Sequence, residues 1–261
     1  MEKHTFVICA YKKSPYLRKC IESLKKQTIR SNIIIITSTP NEYIRQIAEE
    51  YDIPLKVNYG DKGIVQDWNF GYAQCTTPYI TIAHQDDIYF PTYAERALGL
   101  LEESYKPLIY FSDYCEIRNG KLIKSNLLLN TKRLMLLPLR IKGFRKSKFV
   151  RRRILSLGDA ISCPSVTFAA LNLPNPVFNV HFRSCEDWEA WEKISRIDGE
   201  FLYDPVVGMG HRIHEESETS IIINDNARKR EDYEMFCKFW PKVIAKILVR
   251  IYSTSEKSNK V

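Results

Sequence analysis

The chain has 261 residues, 44% of them hydrophobic and 12% aromatic, which is enough to bury one large α/β core and excludes a wholly disordered polypeptide. Seven cysteines, odd in number and never spaced Cys-x-x-Cys, signal neither a disulfide framework nor a thiolate zinc site and fit a reducing compartment. The net charge of +8 is uneven: thirteen Lys or Arg and no Asp or Glu lie between Arg118 and Arg153, so the remainder of the chain is acidic.

Thr5 to Ala10 reads as a buried strand, and Pro15 opens a helix over Tyr16 to Gln27 with Leu17, Cys20, Ile21 and Leu24 on one face. Asn32 to Thr37 is a second buried strand, and Asn41 caps a helix that carries Ile44, Ile47, Ala48 and Tyr51. Leu55 to Asn58 predicts a short strand, Val65 to Cys75 a helix, Tyr79 to Ala83 a strand, Pro91 to Ser104 a helix and Leu108 to Tyr114 a strand. Such alternation predicts a mostly parallel sheet flanked by helices, with ligands at the carboxyl ends of the strands. The tips Ala10-Tyr11, Thr37-Ser38 and His84 to Asp87 then converge on one cleft.

From Asn126 to Gly158 the pattern loosens into a basic and apolar stretch, either two short amphipathic helices or a mobile arm. Regular structure returns at Ile161 to Phe168, followed by a helix over Glu186 to Arg196, a strand over Phe201 to Gly208 and a helix over Asn226 to Phe239. Phe239 to Tyr252 places Lys242, Lys246 and Arg250 on one stripe among Val243, Ile244, Ile247, Leu248 and Ile251, a basic amphipathic helix that packs on its own domain or on lipid. Ser253 to Val261 reads as a disordered tail. No run approaches the roughly 18 apolar residues of a membrane span. No apolar leader precedes Thr5, so the expected location is cytoplasmic, soluble or peripheral on the inner face of the membrane.

Two acidic pairs carry the chemistry. The strand ending in His84-Gln85-Asp86-Asp87 offers oxygen ligands to a hard divalent cation, and Glu186-Asp187 opens the Trp-rich segment that follows. An Asp-Asp pair by itself is usually a turn or a helix cap, and a Glu-Asp pair an ordinary helix N-terminus. Together they suggest a metal site and a base.

The set of motifs resembles the family 2 glycosyltransferases of the inverting GT-A type, from about Thr5 to Ser220. The likeness rests on Val7 to Tyr11 with Leu17, Cys20, Ile21, Ser23-Leu24 and Gln27-Thr28; on Asn58, Gly63, Asn69, Gly71 and Ala73; and on Tyr79-Ile80. His84 to Asp87 falls where the family has its metal-binding Asp-x-Asp, Glu186-Asp187-Trp188 with Trp191 where it has its base, and Arg212-Ile213-His214 where basic groups reach the diphosphate. The resemblance implies a GT-A domain over residues 1–220 with a basic insertion at about 118–158, then a C-terminal amphipathic segment over 221–252. It implies a nucleotide-diphosphate sugar as donor, a divalent metal (Mn²⁺ or Mg²⁺) and a saccharide acceptor, lipid-linked in surface polysaccharide assembly or else a protein or small molecule.

In that frame Asp187 is the base, with Glu186 orienting it or serving as a first-turn carboxylate. Asp86 is the leading metal ligand, Asp87 the second or a cap for the next helix, and His214 completes the coordination or binds phosphate. Ala10, Tyr11, Asn69, His84, Gln85 and Arg212 fall to the donor. The Asp-Asp-Gly-Ser that usually ends the second strand is replaced by Thr37-Ser38-Thr39-Pro40, so the nucleoside contact passes to Asp61 or to the hydroxyls of Thr37 or Ser38. Trp68 either stacks on a base or sugar or packs within its helix.

The basic block is either a plain solvated surface or the seat of an anion: phosphate, pyrophosphate, lipid headgroup or nucleic acid. It lacks the regularly interleaved aromatics of base stacking, so no nucleic acid partner is expected, and an anionic membrane surface fits better. Other readings are a catalytically silent homologue, because two of the usual acids are absent, and a nucleotidyltransferase, which would want a Gly-rich basic loop near the first strand.

Overall fold

The computed structural model describes residues 2–214 and 227–255. Its elements in chain order are β1 (His4–Cys9), α1 (Leu17–Lys25), β2 (Asn32–Thr37), α2 (Glu42–Glu50), β3 (Leu55–Val57), α3 (Ile64–Ala73), β4 (Tyr79–His84) and β5 (Ile88–Tyr89). Then come α4 (Tyr93–Glu103), β6 (Pro107–Arg118), β7 (Lys121–Ile123), α5 (Leu127–Leu136), α6 (Lys142–Arg145), α7 (Lys148–Leu155), β8 (Val166–Ala169), α8 (Glu186–Ser195) and β9 (Glu200–Ile213). Two helices, α9 (Ala227–Cys237) and α10 (Lys242–Ser255), complete the set.

The strands form one sheet in the order β3-β2-β1-β4-β8-β6-β9-β5, with β7 beside β6. β1 pairs in parallel with β2 and β4, β2 with β3, and β6 with β9; β8, β5 and β7 run the other way. Helices cover both faces, so the central strands are largely apolar, and the polar residues buried in them are paired, as His4 is with Thr81 and Thr81 with Thr167. In β1, Phe6 and Ile8 join the core under α1, α2 and α4, while Val7 joins the opposite core with Trp68, Phe168 and Trp191. This is the period-2 alternation of a strand buried on both sides.

The α/β layout predicted from the sequence is present, and the differences have physical causes. β9 does not stop at Gly208 but runs on to Ile213. Gly208 marks a close approach rather than an end: a Cβ there would lie 2.6 Å from Ser112 Oγ and 2.9 Å from the Tyr93 ring. β6 likewise runs past Tyr114 to Arg118, with register shifts around Asp113.

The basic stretch is not an arm. Arg133 Nε binds Asp113 Oδ2 at 2.7 Å, and Asn126, the N-cap of α5, donates to Glu116 at 2.9 Å, which pins α5 to β6. Buried Arg151 donates to the carbonyls of Gly199 and Ile197 at 2.9 and 2.8 Å, and Arg152 pairs with Glu192 of α8.

The C-terminal helices pack on the same body. Phe236 and Tyr252 lie 5.0 and 5.7 Å from the Trp188 ring, and Ala245 is fully buried. Val243, Ile247 and Ile251 of α10 stay exposed. Ser253–Ser255 continue the helix instead of beginning a tail. The boundary expected near residue 220, the helix start at Asn226 and the rest of the tail, 256–261, lie outside the described residues. No described helix is long and apolar enough to cross a membrane.

Gly71 faces the sheet from α3, where an added Cβ would sit 2.5 Å from Val7 Cγ1 and 2.9 Å from Ile36 Cγ1. Gly71→Ala therefore overpacks a rigid strand surface, with an expected loss of about 1–3 kcal/mol. The check is a lower urea midpoint at unchanged slope.

Candidate active site

At the carboxyl ends of β1, β2, β4 and β9 lies a cleft of about 1570 Å³, whose wall includes Ala10, Tyr11, Ser38, His84, Gln85, Asp86, Glu186, Asp187 and His214. Most residues that the sequence nominated thus meet in one place.

The loop after β4 is fixed at each position. Gln85 clamps the tip of β1, accepting from Tyr11 N at 3.0 Å and donating to Tyr11 O at 3.1 Å. Asp86 receives His214 Nε2 on Oδ2 at 2.7 Å and, through its carbonyl, Arg212 Nε at 2.8 Å. Burial opposes ionisation of Asp86, but the hydrogen bond from His214 and the neighbouring imidazoles hold its carboxyl below the usual carboxylate range. Asp86 is therefore an anion facing the cleft.

Asp87 takes neither role expected of it. It is fully buried, outside the cleft wall, and accepts from Arg212 N at 2.8 Å and from His211 Nδ1 at 3.1 Å. Burial works to lower the His211 pKa, but the charge and hydrogen bond of Asp87 together with the charge of Asp86 raise it. Asp87 ties the acidic loop to β9; it neither points at a metal position nor caps α4, whose N-cap residue is Thr92. Arg212 lies behind the wall too, its guanidinium 4.2 Å over the Tyr16 ring.

His84 lies flat against Trp68, ring centroids 5.5 Å apart. Burial lowers its pKa, and its Nε2 has no hydrogen-bond partner among the described residues. Trp68 also meets Phe178 at 4.9 Å, so it packs within the protein. Asn69 is spent on the Phe178 backbone, donating to its carbonyl at 2.9 Å and accepting its N–H at 3.1 Å, and does not reach the cleft. Thr37, fully buried, bonds Thr39; Asp61 is exposed and off the wall. The carboxylate in that corner is Asp67, which accepts from Ser38 Oγ at 2.7 Å and Asn58 Nδ2 at 2.8 Å.

Glu186 and Asp187 occupy the first turn of α8, held in place from α9. Glu231 accepts from Ser184 N at 2.8 Å, Ser184 Oγ at 2.7 Å and Arg183 N at 3.1 Å, which fixes the approach to the helix. Burial raises the Asp187 pKa against the backbone N–H of Trp188, which binds Oδ1 at 2.8 Å, and against Lys132. Asp159 faces Asp187 from the bend between α7 and β8. The sequence reading missed Asp159, Asp67 and the wall cations Lys12, Lys13, Lys62 and Lys132. Lys12-Lys13 directly after the first strand was the available signal.

Among the described residues no three His, Cys, Asp or Glu side chains converge on one metal position. Asp86 with His214 gives a carboxylate–imidazole pair at the cleft edge.

The profile of Glycosyl transferase family 2 matches residues 5–169. The chain belongs to that family. Among curated proteins it is 24% identical to an uncharacterized glycosyltransferase of Rickettsia bellii over 95% of its own length, and 23% identical to the uncharacterized glycosyltransferase RT0329 of Rickettsia typhi over 93%. It spans 34% of the first and 72% of the second.

Among solved structures, Staphylococcus aureus TarS 1–349 in complex with UDP-GlcNAc superposes with a TM-score of 0.59 at 15% identity over 92% of this chain and 72% of TarS 1–349. The mannosyltransferase PcManGT of Pyrobaculum calidifontis, in complex with GDP-Man and Mn²⁺, gives 0.63 at 13% identity over 98% of this chain and 72% of its own. The fold is that of the GT-A glycosyltransferases. The family 2 match ends at β8, so Glu186-Asp187, His214 and the C-terminal helices lie beyond the matched segment.

Asp87→Ala leaves the buried N–H of Arg212 without its acceptor, at about 1–3 kcal/mol. The expected result is a melting temperature lower by several degrees, measured by calorimetry without ligand.

Proposed function

We propose that the protein transfers a sugar from a nucleoside diphosphate donor to an acceptor hydroxyl with inversion at the anomeric carbon. The observation that carries this is the presence of the Asp86–His214 pair and Asp187 in the wall of one cleft in a family 2 chain.

Inverting transfer needs one carboxylate base and neutralisation of the departing diphosphate. Asp187 takes the acceptor proton; Glu186, buried beside it, supports the turn. Lys12, Lys13 and His214 line the wall toward the diphosphate. A divalent cation held by Asp86 and His214 would supply Lewis-acid neutralisation of the leaving group, with phosphate oxygens as further ligands. A mixed oxygen and nitrogen donor pair favours Mn²⁺ over Mg²⁺. Asp67, in the corner formed by Ser38 and Asn58, accepts the imino N–H of the base in place of the absent second-strand acid.

For the acceptor we propose a saccharide on a lipid carrier, met at an anionic membrane on the cytoplasmic side. Leu127, Leu128 and Ile251 line the cleft, and Leu134, Ile141, Phe144 and Phe149 are exposed on the same chain segment as Lys142, Arg145 and Lys146. Each well-placed cation contributes about 1 kcal/mol at such a surface.

The purified chain is expected to release nucleoside diphosphate from one donor sugar, with stimulation by Mn²⁺. Asp187→Asn should keep donor binding and lose at least about 10²-fold in turnover. Asp86→Ala should lose the metal response of donor binding, and Asp67→Ala should raise the donor Kd without changing saturated turnover. Equal turnover of Asp187→Asn and wild type would refute the base assignment, and donor binding without release in the wild type would favour a silent homologue. Co-sedimentation with phosphatidylglycerol vesicles should fall in Phe149→Asp/Ile247→Asp; unchanged sedimentation would remove the membrane reading.

A further inference from the structure

The corner where β2, β3 and α3 meet presents hydrogen-bond acceptors to the cleft. Asp67, only 6% exposed, stands in the cleft wall with Ser38. Its Oδ2 accepts from Ser38 Oγ at 2.7 Å and its Oδ1 from Asn58 Nδ2 at 2.8 Å. A carboxylate has about four acceptor sites, so each oxygen keeps a lone pair for a ligand. Ser38 has spent its proton on Asp67 and likewise presents lone pairs.

The donors around this corner are engaged within the protein. Tyr11 N donates to Gln85 Oε1 at 3.0 Å and Lys12 N to Thr39 Oγ1 at 2.8 Å. Thr39 N donates to Thr37 Oγ1 at 3.0 Å and Gly60 N to Asn58 Oδ1 at 3.0 Å. The Asn58 amide, besides its bond to Asp67, donates to the Asp61 carbonyl at 3.2 Å. Lys62, exposed on the wall just before α3, carries a charge that can meet a ligand carbonyl.

Such a corner selects a base by the donors that the base presents. Guanine carries two adjacent donors, N1–H and the 2-amino group, which match the two oxygens of one carboxylate, and its O6 lies on the side of N1 away from them. Uracil and thymine carry a single N3–H between two carbonyls, one of which would face an acceptor here. Cytosine and adenine place a ring-nitrogen acceptor beside their amino group, with the same conflict. Two acceptors set against each other in a buried place leave both unsatisfied. The separation from the diphosphate end is suitable too. β2 stands two strands from β4 in the sheet, roughly 10 Å across, a span that a nucleoside covers.

We propose that the sugar donor is a guanosine diphosphate sugar whose base is read by Asp67 through its N1–H and 2-amino group. This rests on the cleft being the donor site of a nucleotide-sugar transferase.

Titration calorimetry of the whole chain with GDP, IDP, UDP, CDP and ADP at fixed Mn²⁺ reads the choice. GDP is expected to bind at least about tenfold more tightly than UDP, CDP or ADP. IDP, which lacks only the 2-amino group, should fall between GDP and UDP. UDP binding as tightly as GDP, or IDP equal to GDP, overturns the proposal and leaves the transferase reading in place. Failure of all five to bind overturns both.

Asp67→Asn separates base reading from support of the fold. Its Oδ1 can still accept from Asn58, and the Ser38 hydroxyl can turn to accept from Nδ2, so the corner keeps its internal bonds. The edge facing the cleft then offers one donor and one acceptor. GDP affinity should fall by about 10- to 100-fold, while xanthosine diphosphate, whose C2 carbonyl replaces the amino group, should bind more tightly than to the wild type. An equal loss for every nucleotide marks a merely structural Asp67, and unchanged GDP affinity removes the contact; either result overturns the assignment.

Discussion

The cleft depends on one buried carboxylate. β4 and β9 are separated in the sheet by β8 and β6, yet the residues that follow them must meet for a donor to be held. Asp87 brings them together by accepting the Arg212 N–H and the His211 ring N–H from the end of β9. The short β5 that follows pairs directly with β9, Ile88 opposite Gly210 and Tyr89 opposite Met209. Arg212 returns the contact through the Asp86 carbonyl, so the loop is closed from both sides. A carboxylate with no exposure and several hydrogen bonds holds a geometry that a solvated one could not, because every alternative leaves a charge or an amide unsatisfied. Asp86 and His214 face the cleft as a result of that tie.

The strands and helices up to α4 were readable because both faces of the sheet are covered and each element carries its own apolar period. The site was readable where a motif is local, as in His84 to Asp87 and Glu186-Asp187. It was not readable where the partner is distant. Asp159 stands 28 positions before Asp187 in an unremarkable Gly-Asp-Ala, and nothing in its neighbours marks it. Asp67 sits inside a helix pattern and becomes a cleft residue only when β2 and β3 bring Ser38 and Asn58 to it. Asn69 illustrates the converse, a motif residue whose amide is satisfied by the Phe178 backbone rather than by a ligand.

The basic block shows how net charge misleads in one dimension. Its cations find counter-charges remote in sequence or close in the fold: Arg118 at Glu116, Arg133 at Asp113, Lys148 at Asp198 and Arg152 at Glu192. Arg151 is buried against carbonyls and Lys132 turns into the cleft beside two carboxyl groups. Part of the apparent attraction for anions is therefore consumed in holding α5 to β6 and α7 to α8 and the turn before β9. What remains outward is Lys121, Lys124, Arg140, Lys142, Lys146 and Arg153, the last four on a segment that also exposes Ile141, Phe144 and Phe149.

The seat of Tyr252 on Gly158 has a consequence for how the protein comes into being on the ribosome. Gly158 has φ +140°, and its open side is filled by a ring from the helix almost a hundred positions later. Domains form from the N-terminus as synthesis proceeds, so the sheet and the acidic loop after β4 can assemble while α10 is still in the exit tunnel. Until Tyr252 emerges, the bend at Gly158-Asp159 is open to water where the phenol will lie. The nascent chain can thus fold the strands of the sheet before the wall that Tyr252 closes over Gly158 is complete.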